Sequence, residues 1–75
     1  MRMYEQIRQA IESAARDGQK MAMFRYQVLA NATALRSADP DEFCRAVSVP
    51  ATYATEFRKM LALARVMQER GVRLP

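Results

Sequence analysis

The side chains that most often catalyse reactions or ligate metals are few in this 75-residue chain: eight carboxylates, one cysteine and no histidine. Without histidine, a histidine-based catalytic dyad cannot form within the chain. One thiol without imidazoles does not make a structural zinc site. The two glycines, Gly18 and Gly71, lie too far apart for a phosphate-binding loop. Since every carboxylate has a simpler structural role, we expect a protein that is not an enzyme and that uses no cofactor and no metal.

Cys44, the single cysteine, has no partner within the chain for a disulfide. Its only basic neighbour in sequence is Arg45, so we interpret it as a small buried side chain rather than a redox centre. Glu5 and Arg8 interrupt the start of the chain, which therefore does not look like a signal peptide. No uninterrupted run of 18 apolar residues follows. We expect a cytoplasmic protein that does not enter a membrane.

The net charge of +4 is unevenly distributed along the chain. Residues 19–36 carry three basic side chains and no acid, and residues 51–75 carry five basic against two acidic ones. Residues 1–18 carry equal numbers of basic and acidic side chains, and residues 37–50 carry one basic side chain against three acidic ones. The basic excess suits nucleic acid, an anionic membrane surface or an acidic partner.

Apolar residues recur at helical spacing in the first half of the chain, which predicts two helices. The first runs from about Arg2 to Arg16 and ends at Gly18, which suits the left-handed position after a helix. The second runs from about Gln19 to Arg36. The short break between them predicts an antiparallel hairpin. The apolar residues of the first helix are Tyr4, Ile7, Ile11 and Ala14.

The second half begins with a helix-start signal at Asp39, Pro40 and Glu42. Asp39 can cap the helix, proline fits the first helical position, and glutamate can complete a capping box. This short helix should run to about Val47, because Pro50 disfavours helical geometry just before it. A longer last helix is predicted from about Ala51 to Arg70.

Two helices that are joined by a turn and cross steeply need small and apolar residues where they touch. The chain offers six of them: Phe43, Cys44, Val47, Val49, Ala54 and Phe57. Their spacing resembles the helix-turn-helix superfamily over about residues 41–60. Two positions depart from its pattern, since Ser48 stands where glycine is usual and Ala54 where a branched aliphatic residue is usual. The fold expected is a small all-α, four-helix domain. Residues 1–36 would be a helical hairpin for scaffolding or dimerisation, and residues 39–71 the helix-turn-helix.

The resemblance implies that the last helix enters the major groove of DNA and that its first turns contact bases and phosphates. The residues that it assigns to this contact are Ala51, Thr52, Tyr53, Thr55, Glu56, Arg58 and Lys59. Threonine methyls suit thymine, glutamate can accept from cytosine, and lysine or arginine can bind guanine or phosphate. Glu56 has a second interpretation, as an ion-pair partner of Lys59. Further phosphate contacts are expected from Lys20, Arg25 and Arg36.

Two functions remain open on this basis. The first is sequence-specific binding of double-stranded DNA by a bacterial or phage transcriptional regulator, a repressor that binds an inverted repeat as a homodimer. Exposed apolar residues of the last helix, such as Leu63 and Val66, would serve the dimer. The alternative is a helical protein-interaction module without DNA binding, such as an adaptor, an antitoxin-like factor or an inhibitor.

Overall fold

Five α-helices form the secondary structure of residues 2–74, the part of the chain that the computed structural model describes. They are α1 (Arg2–Ala15), α2 (Lys20–Ala30), α3 (Ala32–Leu35), α4 (Pro40–Ala46) and α5 (Tyr53–Glu69). Within residues 2–74 there is no strand, so the all-α prediction is confirmed. None of these helices is long and apolar enough to cross a membrane. Residues 1 and 75 of the predicted domain lie outside the described part.

The turn between α1 and α2 is built around Gly18, as predicted. Gly18 has a φ of 73°. The next residue, Gln19, donates its backbone N–H to the carbonyl of Ala14 at 2.9 Å, and Gly18 donates to Ala15 at 3.1 Å. This pair of bonds is a Schellman motif, which satisfies the last carbonyls of a helix and reverses the chain. It allows α2 to pack against α1.

The second predicted helix is divided in the structure, because α2 ends at Ala30 and α3 begins at Ala32. The break is at Asn31, where φ is −111° and ψ is 21°. Its side-chain amide donates to the carbonyl of Gln27 at 2.9 Å, and its backbone N–H donates to the same oxygen at 3.0 Å. A side chain that competes for helix carbonyls in this way bends a helix. The structure therefore has five helices where four were predicted.

Phe43 lies at the centre of the hydrophobic core and joins four of the helices. Its ring is fully buried and meets Tyr4 of α1 edge-on, with the ring centroids 5.4 Å apart. The ring of Phe24 on α2 lies 5.9 Å away, and that of Phe57 on α5 lies 4.8 Å away. Aromatic pairs at these separations are each worth about 0.5–1.5 kcal/mol beyond their burial. The two halves of the chain thus share one core, which fixes α5 against α2 and α4.

Candidate nucleic-acid interface

Asp39 caps the start of α4, as the sequence predicts, whereas the Glu42 side chain makes no return hydrogen bond to complete a capping box. Asp39 is extended, and its Oδ2 accepts a hydrogen bond from the backbone N–H of Glu42 at 2.9 Å. Pro40 occupies the first helical turn, and Asp41 lies beside it. Carboxylates stabilise this end of a helix because the free N–H groups make it positive. The acidic cluster of the chain therefore has a structural role at α4.

The turn after α4 is a second Schellman motif, but with serine in the left-handed position. Ser48 has a φ of 61°, a conformation that costs a side-chain-bearing residue about 1–2 kcal/mol. Its N–H donates to the carbonyl of Arg45 at 3.2 Å, and that of Val49 donates to Cys44 at 3.0 Å. Val49 is buried and anchors the turn in the core. Ser48 thus adopts the conformation for which the superfamily usually has glycine.

The last helix begins two residues later than predicted. Ala51 and Thr52 form a hydrogen-bonded turn, in which Tyr53 donates to the carbonyl of Pro50 and Ala54 donates to that of Ala51, both at 3.0 Å. These bonds span three residues, whereas an α-helix bonds over four, which explains why the regular helix starts at Tyr53. The connection between α4 and α5 is therefore residues 47–52, longer than the gap between the predicted helices, which end at about Val47 and begin again at about Ala51.

The inner face of α5 is fixed by Ala54 and Phe57, both of which are buried. Successive residues of an α-helix are rotated by about 100°, so Thr55 and Lys59 lie on the side opposite to Phe57. Both are exposed, as is Thr52 just before the helix. The structure therefore brings three of the predicted contact residues together on one solvent-facing surface.

Glu56 connects this surface to the N-terminal hairpin through an ion pair. Its Oε1 accepts from Nε of Arg25 on α2 at 2.9 Å, and its Oε2 lies 3.8 Å from Nζ of Lys59. The hydrogen bond from Arg25 is the main cause that lowers the pKa of Glu56, and the nearby charges of Arg25 and Lys59 lower it further. Only 19% of the Glu56 side chain is exposed, against 48% of Arg25 and 65% of Lys59. The predicted pairing with Lys59 is present, and Arg25 joins it.

Tyr53 lies at the boundary between the core and the exposed surface. Its ring packs edge-on against Phe24 with the centroids 5.0 Å apart. Nζ of Lys20, at the start of α2, lies 5.6 Å from the Tyr53 centroid, within the range of a cation–π contact. Lys20 and Arg25 therefore both lie beside the first turns of α5, although they come from the other half of the chain.

The model of a family described as an HTH-like domain matches residues 1–70. The chain belongs to the HTH-like domain family. No curated protein and no solved structure gave a significant match. HTH-like domains are typically not enzymes, and membership suggests DNA binding in general.

Arg36 lies apart from the other predicted phosphate contacts of the HTH-like domain. Its Nη2 donates to Oε1 of Gln68 at 3.1 Å, near the end of α5. Gln68 is 12 residues after Glu56, a distance of roughly 18 Å along a helix. The structure therefore groups Lys20 and Arg25 with the first turns of α5 and does not group Arg36 with them.

The core of the HTH-like domain holds Cys44, as expected for a small buried side chain. It is 1% exposed. Burial is the main cause that raises the pKa of its thiol, and the charge of Asp41 raises it further against the opposing effect of Arg58. The protonated thiol is the poorer nucleophile and metal ligand. Among the residues that the structure describes, no three acidic or thiol side chains lie close enough to hold a metal ion.

Arg25 is a residue of this site whose partner the sequence does not reveal. It is 31 residues from Glu56 in sequence, so no spacing rule connects the two. The only indication in the sequence was the run of three basic residues without an acid between positions 19 and 36. Such a run leaves a cation free to pair with a carboxylate of another helix.

Proposed function

We propose that the chain is a sequence-specific, double-stranded DNA-binding regulator that acts as a repressor. In this proposal the first turns of α5 enter the major groove. The observation that carries it is the composition of the exposed side of α5, where Thr52, Thr55 and Lys59 face solvent while Phe57 holds the opposite side in the core. Small hydroxyl side chains and a lysine on one helical face suit base edges and thymine methyls.

Cations on both sides of that face support the proposal. At about 100° per residue, Arg58 projects from one side of α5, and Glu56 projects from the other side toward α2. Arg25 and Lys20 therefore lie on the Glu56 side. Phosphates line both edges of the major groove, and contacts to them position a protein without reading sequence. Tyr53 and Ala51 complete this surface. The hydroxyl of Tyr53 can donate to a phosphate, and the small side chain of Ala51 allows close approach to the DNA.

Glu56 has a defined part in the proposal, which is to position cations. Both of its oxygens already face cations, so its role as an acceptor for cytosine is the less favoured one. Arg25 is bonded to it through Nε. The guanidinium carries four further N–H donors on its terminal nitrogens, which can bind phosphate while the pair stays intact.

A homodimer on an inverted repeat is proposed from the exposed apolar residues of α5. Leu63 and Val66 are 41% and 46% exposed, and both lie beyond the proposed DNA-contact residues. A two-fold pairing at this patch would bury them and present two recognition helices to one duplex. When such a site overlaps a promoter, the bound dimer blocks transcription.

The proposal is tested by the salt dependence of binding. Fluorescence anisotropy with the full chain and duplex DNA should give affinities that fall steeply as salt rises. Lys59→Ala should reduce the slope of log K against log salt by about one if it contacts one phosphate. The matched control is Arg70→Ala, an equal charge loss at the other end of α5. Absence of binding at low salt, or equal effects of the two variants, would contradict the proposal.

A further inference from the structure

A groove of about 530 Å³ lies beside the last turns of α5. It is lined by residues of α2 and α3, by the last turns of α5, and by the tail at residues 71–74. Eight apolar side chains line it, the largest of which are Tyr26, Leu29, Met67, Val72 and Leu74. Tyr26 and Val72 are 45% and 53% exposed, and exposed apolar patches rimmed by polar residues mark interaction sites.

Among the described residues that line the groove, the charged ones are all arginines. Arg36 and Arg73 both line it, and its described lining contains no carboxylate. Arg36 also lines an adjoining depression together with Arg65. A surface that combines apolar residues with guanidinium groups is complementary to an apolar surface bordered by carboxylates.

We propose that this groove binds an amphipathic helix of a protein partner, with acidic residues beside its apolar face. Helix-in-groove recognition uses apolar anchors at i, i+3, i+4 and i+7. Those anchors would contact Tyr26, Met67 and Val72, and the carboxylates would pair with Arg36 and Arg73.

The same observations disfavour two other occupants of the groove, namely DNA and a second copy of the chain. DNA presents phosphates and polar base edges, which leave the apolar residues of the groove without a partner. A second copy of the chain, paired through this groove by a two-fold axis, would bring the same patch against itself. The arginines of the two copies, Arg36 and Arg73, would then approach each other and repel.

The groove and the proposed DNA contacts can be occupied at the same time. Met67 is 11 residues after Glu56 on α5, a separation of roughly 17 Å. A partner at the groove would therefore leave Thr55 and Lys59 accessible. This inference does not depend on DNA binding, because it rests on residues that the proposed DNA surface does not use.

The test is a selection of helix-biased peptides, each about four helical turns long, displayed on phage against the immobilised full chain. Selected peptides should carry apolar residues at i, i+3, i+4 and i+7 together with aspartate or glutamate. Their binding should shift the NMR amide signals of Leu29, Met67 and Val72. Combined Arg36→Glu and Arg73→Glu substitutions should weaken binding about tenfold or more.

Two variants serve as controls in this experiment. Arg16→Glu reverses an exposed charge outside the groove and should leave peptide affinity unchanged, as should Lys59→Ala. The inference is overturned if the selected peptides show no acidic bias or if the double reversal leaves their affinity unchanged. It is also overturned if duplex DNA, or a rise in protein concentration alone, shifts the groove amides in place of the peptides. Loss of DNA binding in Lys59→Ala would test the proposed DNA surface separately.

Discussion

Nε of Arg25 on α2 lies 2.9 Å from Oε1 of Glu56 on α5, and this ion pair joins the two halves of the domain at the edge of the proposed DNA surface. The pair connects a helix of the N-terminal hairpin to the helix that carries Thr55 and Lys59. It holds Arg25 beside the first turns of α5. The N-terminal half therefore contributes to the candidate interface and also to the core.

The Arg25–Glu56 pair should make folding stability depend on acid pH. The fold lowers the pKa of Glu56, chiefly through the hydrogen bond from Arg25. A carboxyl with a lowered pKa stabilises the fold above its unfolded pKa of about 4.3, and this contribution is lost as the pH falls through the folded value. Glu56→Gln should therefore be less stable than the wild type in urea unfolding at neutral pH, and the difference should vanish in acid.

Arg25→Gln provides the matched partner for that measurement. Since both substitutions remove the same ion pair, the double variant should be little less stable than either single variant. The stability difference between the wild type and each variant should also shrink as salt rises, because the ion pair is partly exposed. A stability difference that persists unchanged into acid, or strictly additive losses, would show that the pair does not stabilise the fold.

Ser48→Gly should stabilise the domain by about 0.5–1 kcal/mol. The gain arises because glycine avoids the cost of the left-handed conformation, while its greater freedom in the unfolded chain offsets part of that gain. Gly71→Ser is the reciprocal change, since Gly71 has a φ of 73° and an added Cβ would meet no atom within 4 Å. It should destabilise by a similar amount. Urea unfolding that shows no gain for Ser48→Gly would contradict this account of the turn.

Phe43→Ala should destabilise the domain by about 3–5 kcal/mol, enough to unfold much of the protein, because a small domain has little stability to lose. Phe43→Leu should cost less, since it loses the aromatic contacts but fills most of the space. Tyr26→Ala, at an exposed aromatic residue, should stay within about 0.5 kcal/mol of the wild type. Circular dichroism during urea unfolding measures all three. Equal losses for Phe43→Ala and Tyr26→Ala would contradict the central position of Phe43.

Much of the fold follows from local patterns. The six residues whose spacing resembles a helix-turn-helix are all buried, and the cap at Asp39 and the turn at Gly18 lie where their signals predict. The sequence does not predict the break at Asn31, because the apolar spacing continues across it while the Asn31 side chain competes for a backbone carbonyl. It also does not predict the two-residue delay in the start of α5.

The candidate site is less predictable than the fold, because its electrostatics come from residues distant in sequence. Lys59 could be paired with Glu56 from their spacing in one helix. The contact of Arg25 with Glu56 and that of Lys20 with Tyr53 depend on how α2 packs on α5. Likewise, the position of Arg36 beside Gln68, 32 residues later in the sequence, depends on how α3 packs on α5.

Cys44 should resist thiol reagents in the folded protein. Its side chain is buried, and burial raises the pKa of the thiol, so both access and thiolate are limited. The rate of labelling at mildly alkaline pH should follow the unfolding equilibrium as urea is added. Rapid labelling of the folded chain would contradict the position of Cys44 in the core.

The most direct test of the proposed function is selection of bound sequences from random duplex DNA by the full chain. We predict enrichment of an inverted repeat whose half-sites are about 10 base pairs apart, one turn of the duplex. Thr55→Ala should relax the preference at one position of each half-site, and Lys59→Ala should reduce binding to all sequences. A pool that shows no enrichment, together with no binding at low salt, would contradict the assignment of α5 as a DNA-recognition helix.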